Sequence, residues 1–335
     1  MQMKKSARKK LMEQIKTVFE KHGRESFEIA KNTILSEEIR YEPIREAVRY
    51  FMEDVWRDVQ HPALLSLACE AVRGKPSATT HVGAAITLLT GAADIHDDII
   101  DQSKTKGLKP TVYGKFGKET AILVGDALIF EGLTLLHEAC EKLPKKQRRA
   151  ILNLTKRAFF ELGSIEAKET AFKGRFDLSP EEYFQIIEMK AAVGEMTMKI
   201  GAILGGGTTN QTDVLGHYGR TLGILMTIRD DFIDIFEPDE LQNRVRNEVL
   251  PLPLLYAFKN PQTKNEITPI LLQKGITEDN AQRIVSTMLN SKEVKSLKQK
   301  MQSMINVEAR KLDSIENRRV RTFMKSLLKS SLEDL

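Results

Sequence analysis

Two short acidic runs carry the chemistry of this 335-residue sequence: Asp97-Asp98-Ile99-Ile100-Asp101 and Asp230-Asp231-Phe232-Ile233-Asp234. A helix turns about 100° per residue, so positions i and i+4 share a face. Asp97 and Asp101 therefore point one way, with Asp98 beside them. Asp230 and Asp234, with Asp231 alongside, repeat the arrangement. The residues between are apolar, so each run reads as an acidic stripe on an otherwise buried helix. Carboxylates gathered on one stripe repel one another unless a cation lies among them. Oxygen-only ligands select a hard cation such as Mg²⁺, which takes few carboxylates and completes its shell with water and phosphate oxygens. The two stripes predict a site that holds a diphosphate through Mg²⁺.

Helices must position these stripes, and helical periodicity dominates the chain. Leu11, Ile15, Val18 and Phe19 form one apolar stripe, and Ile44, Val48, Phe51, Met52 and Val55 form another. The apolar stretch around Val82 to Leu89 runs straight into the first acidic run and reads as a buried core helix. Ser36 with Glu38, and Ser179-Pro180-Glu181-Glu182, read as helix starts. Gly205-Gly206-Gly207 closes a helix and Asn210 to Asp213 caps the next. Breaks are expected at Gly107 to Pro110 and at Glu237 to Glu240, each just beyond an acidic run. Strand-like alternation is almost absent. With no linker rich in Gly, Ser or Pro, residues 1–335 are read as a single all-α domain.

Composition narrows the function class. The net charge of +5 comes from interspersed acids and bases and gives no argument for nucleic acid. Cys69 and Cys140 are the only cysteines and form no CxxC, which fits a reducing, cytoplasmic setting and neither a disulfide framework nor a zinc site. No apolar run of transmembrane length is read. The basic N-terminus reads as an amphipathic helix, which leaves a peripheral membrane contact open.

At the acidic runs and around them the sequence resembles the trans-isoprenyl diphosphate synthases, over about Gly74 to Tyr256. The segments that carry the resemblance are IHDDIID, KPTVYGKFGKETAILVGDALI, EMKAA, YGRTLGILMTIRDDFIDIFE and LPLPLLYA. The resemblance implies an all-α, isoprenoid-synthase-type helical bundle around a deep central cavity, usually as a homodimer. It implies that three Mg²⁺ bind Asp97, Asp101, Asp230 and Asp234 together with an allylic prenyl diphosphate. Lys190 matches the lysine that contacts that diphosphate, and Lys106 stands where an arginine is usual after the first motif. Lys75 is the one residue in register with the usual Gly-Gly-Lys-Arg-x-Arg-Pro segment, which here reads Arg73-Gly74-Lys75-Pro76-Ser77-Ala78. Ala92 and Ala93 lie where bulky residues would floor the pocket, which implies a deep one. His96 is expected to be a core histidine, and Lys115 and Lys118 a solvated face.

Departures from the family pattern fall on one side. Thr90 stands at the usual histidine, Gly107 at the second arginine, Thr227 at the usual glutamine and Val249 at a late lysine; Arg244 and Arg246 lie close enough to substitute. The diphosphate-and-metal residues are present, while those for the acceptor diphosphate are largely missing. Asp94 is a further oddity, a carboxylate on the face of Asp97 and Asp101 where the family pocket is apolar. It would stabilise cationic charge or move a proton there, or else pair with a basic neighbour. The leading expectation is a Mg²⁺-dependent prenyltransferase condensing an allylic diphosphate with isopentenyl diphosphate. The alternatives are a terpene-synthase-like enzyme that ionises a prenyl diphosphate for cyclisation or transfer to another acceptor, and a non-catalytic regulatory subunit of a prenyl synthase.

Overall fold

The computed structural model describes residues 2–333, and side chains from residue 9 onward. It is all-α apart from one two-stranded hairpin. The basic side chains expected on the amphipathic N-terminal helix before residue 9 lie outside the described residues. Two compact units emerge, each gathered from three stretches of chain.

The first unit holds the chain up to Lys156, Met196–Gly216 and Ser314–Thr322. It contains α1 (Gln2–Ser36), α2 (Glu42–Tyr50), a π-helical turn (Phe51–Val55), α3 (Gln60–Ala71), α4 (Thr80–Ile100), α5 (Val112–Phe116) and α6 (Lys118–Glu141). Helix α4 is its centre and packs against α1, α3 and α6. Fourteen of its 21 residues are buried, so a helix apolar on every side has been placed in the core. The buried Thr87 and Thr90 hydroxyls donate back to the carbonyls of Gly83 and Ile86, which satisfies them within the helix. Glycine sets one close crossing. A Cβ on Gly201 would stand 2.2 Å from the Leu65 carbonyl oxygen. That oxygen belongs to α3 and has no flexible end to move. Gly201→Ala is expected to cost about 1–3 kcal/mol, read as a lower urea midpoint at unchanged m-value. Cys69 and Cys140 are both buried and unbridged in this unit.

The second unit holds Arg157–Glu195, His217–Asp313 and the chain from Phe323. It takes the end of α7 (Lys145–Thr170), α8 (Pro180–Lys190), the start of α9 (Ala192–Leu204) and most of α10 (Thr209–Asp234). Then follow α11 (Pro238–Asn247), α12 (Leu252–Ala257), α13 (Pro261–Leu271), α14 (Glu278–Asn290), α15 (Lys292–Lys311) and the end of α16 (Arg318–Ser330). Helix α12 is wholly buried and packs against α8, α14 and α15. The Tyr218 hydroxyl, also buried, donates to the Met324 carbonyl oxygen at 3.1 Å.

Several boundaries differ from the sequence reading. Ser36 ends α1 instead of starting a helix; its hydroxyl donates to the Thr33 carbonyl oxygen, and the next helix begins at Glu42 with Pro43 in its first turn. The start of α10 is capped by a reciprocal box in which Thr208, ahead of Asn210 to Asp213, is the N-cap and Gln211, within that stretch, is its partner. The break after the second acidic run is shorter than Glu237 to Glu240, because Pro238 already opens α11. Ser179 does cap α8 through a full box with Glu182. Helix α6, contrary to the reading of no transmembrane-length run, is long and apolar enough to cross a membrane by length and composition alone. The acids spaced through it hid that run. Its exposed face carries Ile122, Leu123, Phe130 and Leu133.

Candidate active site

Both acidic runs fall on the last turn of a helix. Helix α4 ends at Ile100, with the Asp101 N–H still donating to the Asp97 carbonyl at 2.8 Å, and α10 ends at Asp234. The C-terminus of a helix carries partial negative charge, so it is an unfavourable place for three carboxylates and a favourable one for cations. The acids there gain stability only if positive charge is brought to them.

In the first unit that charge is Lys106. The hairpin of β1 (Thr105–Lys106) and β2 (Lys109–Pro110), turning at Gly107 with φ 58°, folds back onto the end of α4. It is fastened by Thr111, whose N–H donates to Lys104 O and whose hydroxyl donates to Ser103 O. The Lys106 ammonium sits 2.6 Å from Asp94 and 2.9 Å from Asp98. Asp98 is almost fully buried, and desolvation raises its pKa to about 7 even though Lys106 pulls the other way. Asp94 is thus the partner of a basic neighbour. A cavity of about 220 Å³ lies beside this pair, lined by Val55, Trp56, Asp94, Lys106, Lys109 and Pro110. The Trp56 indole N–H is buried without an acceptor. Ala92 is fully buried and Ala93 half-buried, and neither lines this cavity.

His96 is half-buried, not a core residue; its Nε2 lies 3.6 Å from an Asp126 carboxylate oxygen on α6. Lys115 has its ammonium 3.8 Å from the centre of the Tyr50 ring, and Lys118 is exposed. Lys75 is not brought to the acids. It precedes the first turn of α4, roughly 25 Å of helix from Asp97 at a rise of 1.5 Å per residue. The resemblance matches Lys75 to the acceptor-diphosphate segment, and its place before α4 keeps it apart from the first acidic run.

In the second unit the charge is Arg244 on α11. Its guanidinium donates to Asp231, to the Tyr183 hydroxyl at 3.0 Å and to Glu248 at 2.8 Å, and lies 3.7 Å from Asp234. Asp231 also accepts the Leu252 N–H at 2.8 Å. Burial raises Asp231 to about 6 and Asp234 to about 7, in both cases against the pull of Arg244. Asp230 is more open, with 64% of its side chain exposed. Lys190 ends α8 and is ion-paired with Glu166 and Glu169 of α7. Arg246 donates to the Lys274 carbonyl oxygen and does not join this network.

The sequence reading missed Tyr183, Glu166 and Glu169, and it gave Arg244 a different part. A signal was available for the last: a base closely following each acidic run.

The fit of this donor set to Mg²⁺ rests on the same observations. Among the described residues no group of three His, Cys, Asp or Glu is close enough to cage a bare ion. Carboxylates gathered at a negative helix end, with Asp98, Asp230, Asp231 and Asp234 raised in pKa by burial, suit a hard cation that shares its shell with water and phosphate.

Residues 45–288 match the family model described as polyprenyl synthetase. This chain belongs to the polyprenyl synthetase family. Use of Mg²⁺ is typical of that family. The short chain isoprenyl diphosphate synthase of Methanothermobacter thermautotrophicus is 32% identical over 181 residues, 53% of this chain and 54% of that protein. The chain spans about half the length of the curated relatives it matches. Among solved structures, geranylgeranyl pyrophosphate synthetase from Pyrococcus horikoshii Ot3 superposes with a TM-score of 0.83 at 21% identity, over 96% of this chain and all of that one. A polyprenyl synthase from Caulobacter crescentus CB15, complexed with calcium and isoprenyl diphosphate, gives 0.78 at 18%, over 97% of each chain. These likenesses place the fold of the chain among the isoprenoid synthases.

Proposed function

We propose that this chain is a prenyltransferase that condenses an allylic prenyl diphosphate with isopentenyl diphosphate in the presence of Mg²⁺. The observation that carries the proposal is the repeated one: two Asp-rich runs, each at the C-terminal turn of a buried helix, in a chain of the polyprenyl synthetase family. Asp97 and Asp101, with Asp230 and Asp234, are the proposed metal ligands, for three ions with substrate bound. When bound, Mg²⁺ supplies the positive charge that stabilises a departing diphosphate. Asp98 and Asp231 hold Lys106 and Arg244 in place, and Lys106 and Lys190 are the proposed contacts to the diphosphate. Departure of the diphosphate leaves an allylic cation, the alkene of the acceptor attacks it, and loss of a proton restores a double bond. Asp94, already committed to Lys106, is given no proton to move. Asp94→Asn is accordingly expected to change turnover less than about tenfold, since a half-exposed pair contributes little, and to leave product length unaltered. Both are read by chromatography of the products.

A second reading keeps the ionising half and changes the acceptor. Thr90, at the usual histidine, has its hydroxyl bonded into its own helix, and Gly107, at the usual arginine, offers no side chain. Both observations favour cyclisation or another acceptor. Incubation with farnesyl diphosphate, with and without isopentenyl diphosphate, separates the readings. An elongated product that requires the second substrate supports the first, and product without it the second. A purified chain inert in both arms would leave the regulatory-subunit reading.

A homodimer is proposed through the exposed face of α6, where Ile122, Leu123, Phe130 and Leu133 are 37–73% exposed and share one side. The single-domain reading is supported by unit boundaries that fall inside α7, α9, α10 and α16. A cytoplasmic location is proposed from two free, buried thiols.

A further inference from the structure

Lys190 does not wait for a ligand with its charge uncommitted. Its ammonium is ion-paired with Glu166 at 3.1 Å and, more tightly, with Glu169. The two acids stand three residues apart on α7, so they present one face to the end of α8. The trio is largely withdrawn from water: Lys190, Glu166 and Glu169 side chains are 23%, 17% and 9% exposed. Poorly solvated charges are weakly screened, so their arrangement weighs more than at the surface. Glu169 also lies close enough to Asp231 to disfavour the charge there, which ties the trio to the second acidic run. The neighbouring Glu161 is spent on Arg220, which also takes Glu195 and the Glu188 carbonyl. That acid is committed to Arg220 and adds no third carboxylate to Lys190.

One ammonium is here shared between two carboxylates. A diphosphate that reaches Lys190 gains the ammonium only as the carboxylates lose it. We propose that Glu166 and Glu169 are specificity-determining residues that set the diphosphate affinity of this site by competing with the ligand for the Lys190 ammonium. The inference rests on the reading above that Lys190 contacts the substrate diphosphate. A neutral glutamine at either position keeps a hydrogen-bonding group but ends the charge competition.

The test is isothermal titration of inorganic pyrophosphate into the full chain at saturating Mg²⁺. Lys190→Met is expected to weaken binding. Glu166→Gln and Glu169→Gln are each expected to tighten it, by about three- to tenfold, the scale of one partly screened charge pair. Glu166→Gln placed on Lys190→Met is expected to give no gain, because the competed group is gone. Glu→Gln variants that bind no tighter, while Lys190→Met weakens binding, overturn the competition alone. Persistence of the Glu166→Gln gain without Lys190 also overturns it, since the acid would then act by simple repulsion. Unchanged binding in Lys190→Met removes the underlying reading and the inference with it. Thermal melts by circular dichroism accompany each variant. Glu166→Gln, at the more open acid, decides the matter where Glu169→Gln fails to fold.

Discussion

Asp97→Asn is expected to lower kcat about a thousandfold, on the order of 4 kcal/mol of transition-state stabilisation. Asparagine keeps the shape of the side chain and removes the charge, so the fold should survive while the proposed metal ligand is lost. Asp101 shares its face one turn on, and the residual activity should then need more Mg²⁺. Asp98→Asn provides the contrast. That carboxylate is buried and turned to Lys106, so its loss should act on the hairpin and on stability more than on Mg²⁺ demand. The measurement is turnover of farnesyl diphosphate across a Mg²⁺ series, with circular dichroism as the check on folding. Asp97→Asn activity within threefold of the parent, at every Mg²⁺ level, would remove Asp97 from the metal site.

The second large effect is on stability. Arg244→Met is expected to cost about 3–5 kcal/mol, because it strands charges that are already out of water. Asp231, 3% exposed, would keep only the Leu252 N–H, and the Tyr183 hydroxyl and Glu248 would each lose a donor. A loss of that size is a large share of the ~5–15 kcal/mol that folds a typical protein. Adding Asp231→Asn should restore part of it, since the amide tolerates burial without a counter-charge. Urea unfolding of the two single variants and the double closes the cycle. Additive losses would show that the two side chains do not depend on each other.

The repeated acidic runs, the apolar helix that delivers the first of them and the capping box at Ser179 were legible because each is a local pattern. Periodicity of 3.6 residues and an S-P-x-E start need no knowledge of the rest of the chain. What escaped was set by return of the chain from a distance. A basic partner for Asp94 was one of the two readings, but which base it is depends on the hairpin that folds Lys106, 12 residues on, back across the end of α4. Arg244 reaches Asp231 from 13 residues on, through the angle at which α11 leaves Pro238. Glu166 and Glu169 meet Lys190 across a turn whose path no pattern announces. Ser36 was misread as a start because a serine hydroxyl caps a helix or bonds back to the previous turn equally well. The distance of Lys75 from the first acidic run was likewise hidden, because only the length of α4 sets it.

The two buried thiols give the first unit a clock. Cys69 has its pKa pushed up to about 11 by burial and the nearby Glu70, and its Sγ–H donates to the Lys75 carbonyl oxygen at 3.3 Å; Cys140 is raised as well. Only an accessible thiolate reacts with a disulfide reagent. Labelling therefore has to wait for α3 or the end of α6 to open, and its rate counts those openings. Both cysteines belong to the first unit, so the label is blind to excursions confined to the second. A diphosphate that slowed labelling would reveal a ligand whose binding is felt at α3, without any turnover being followed.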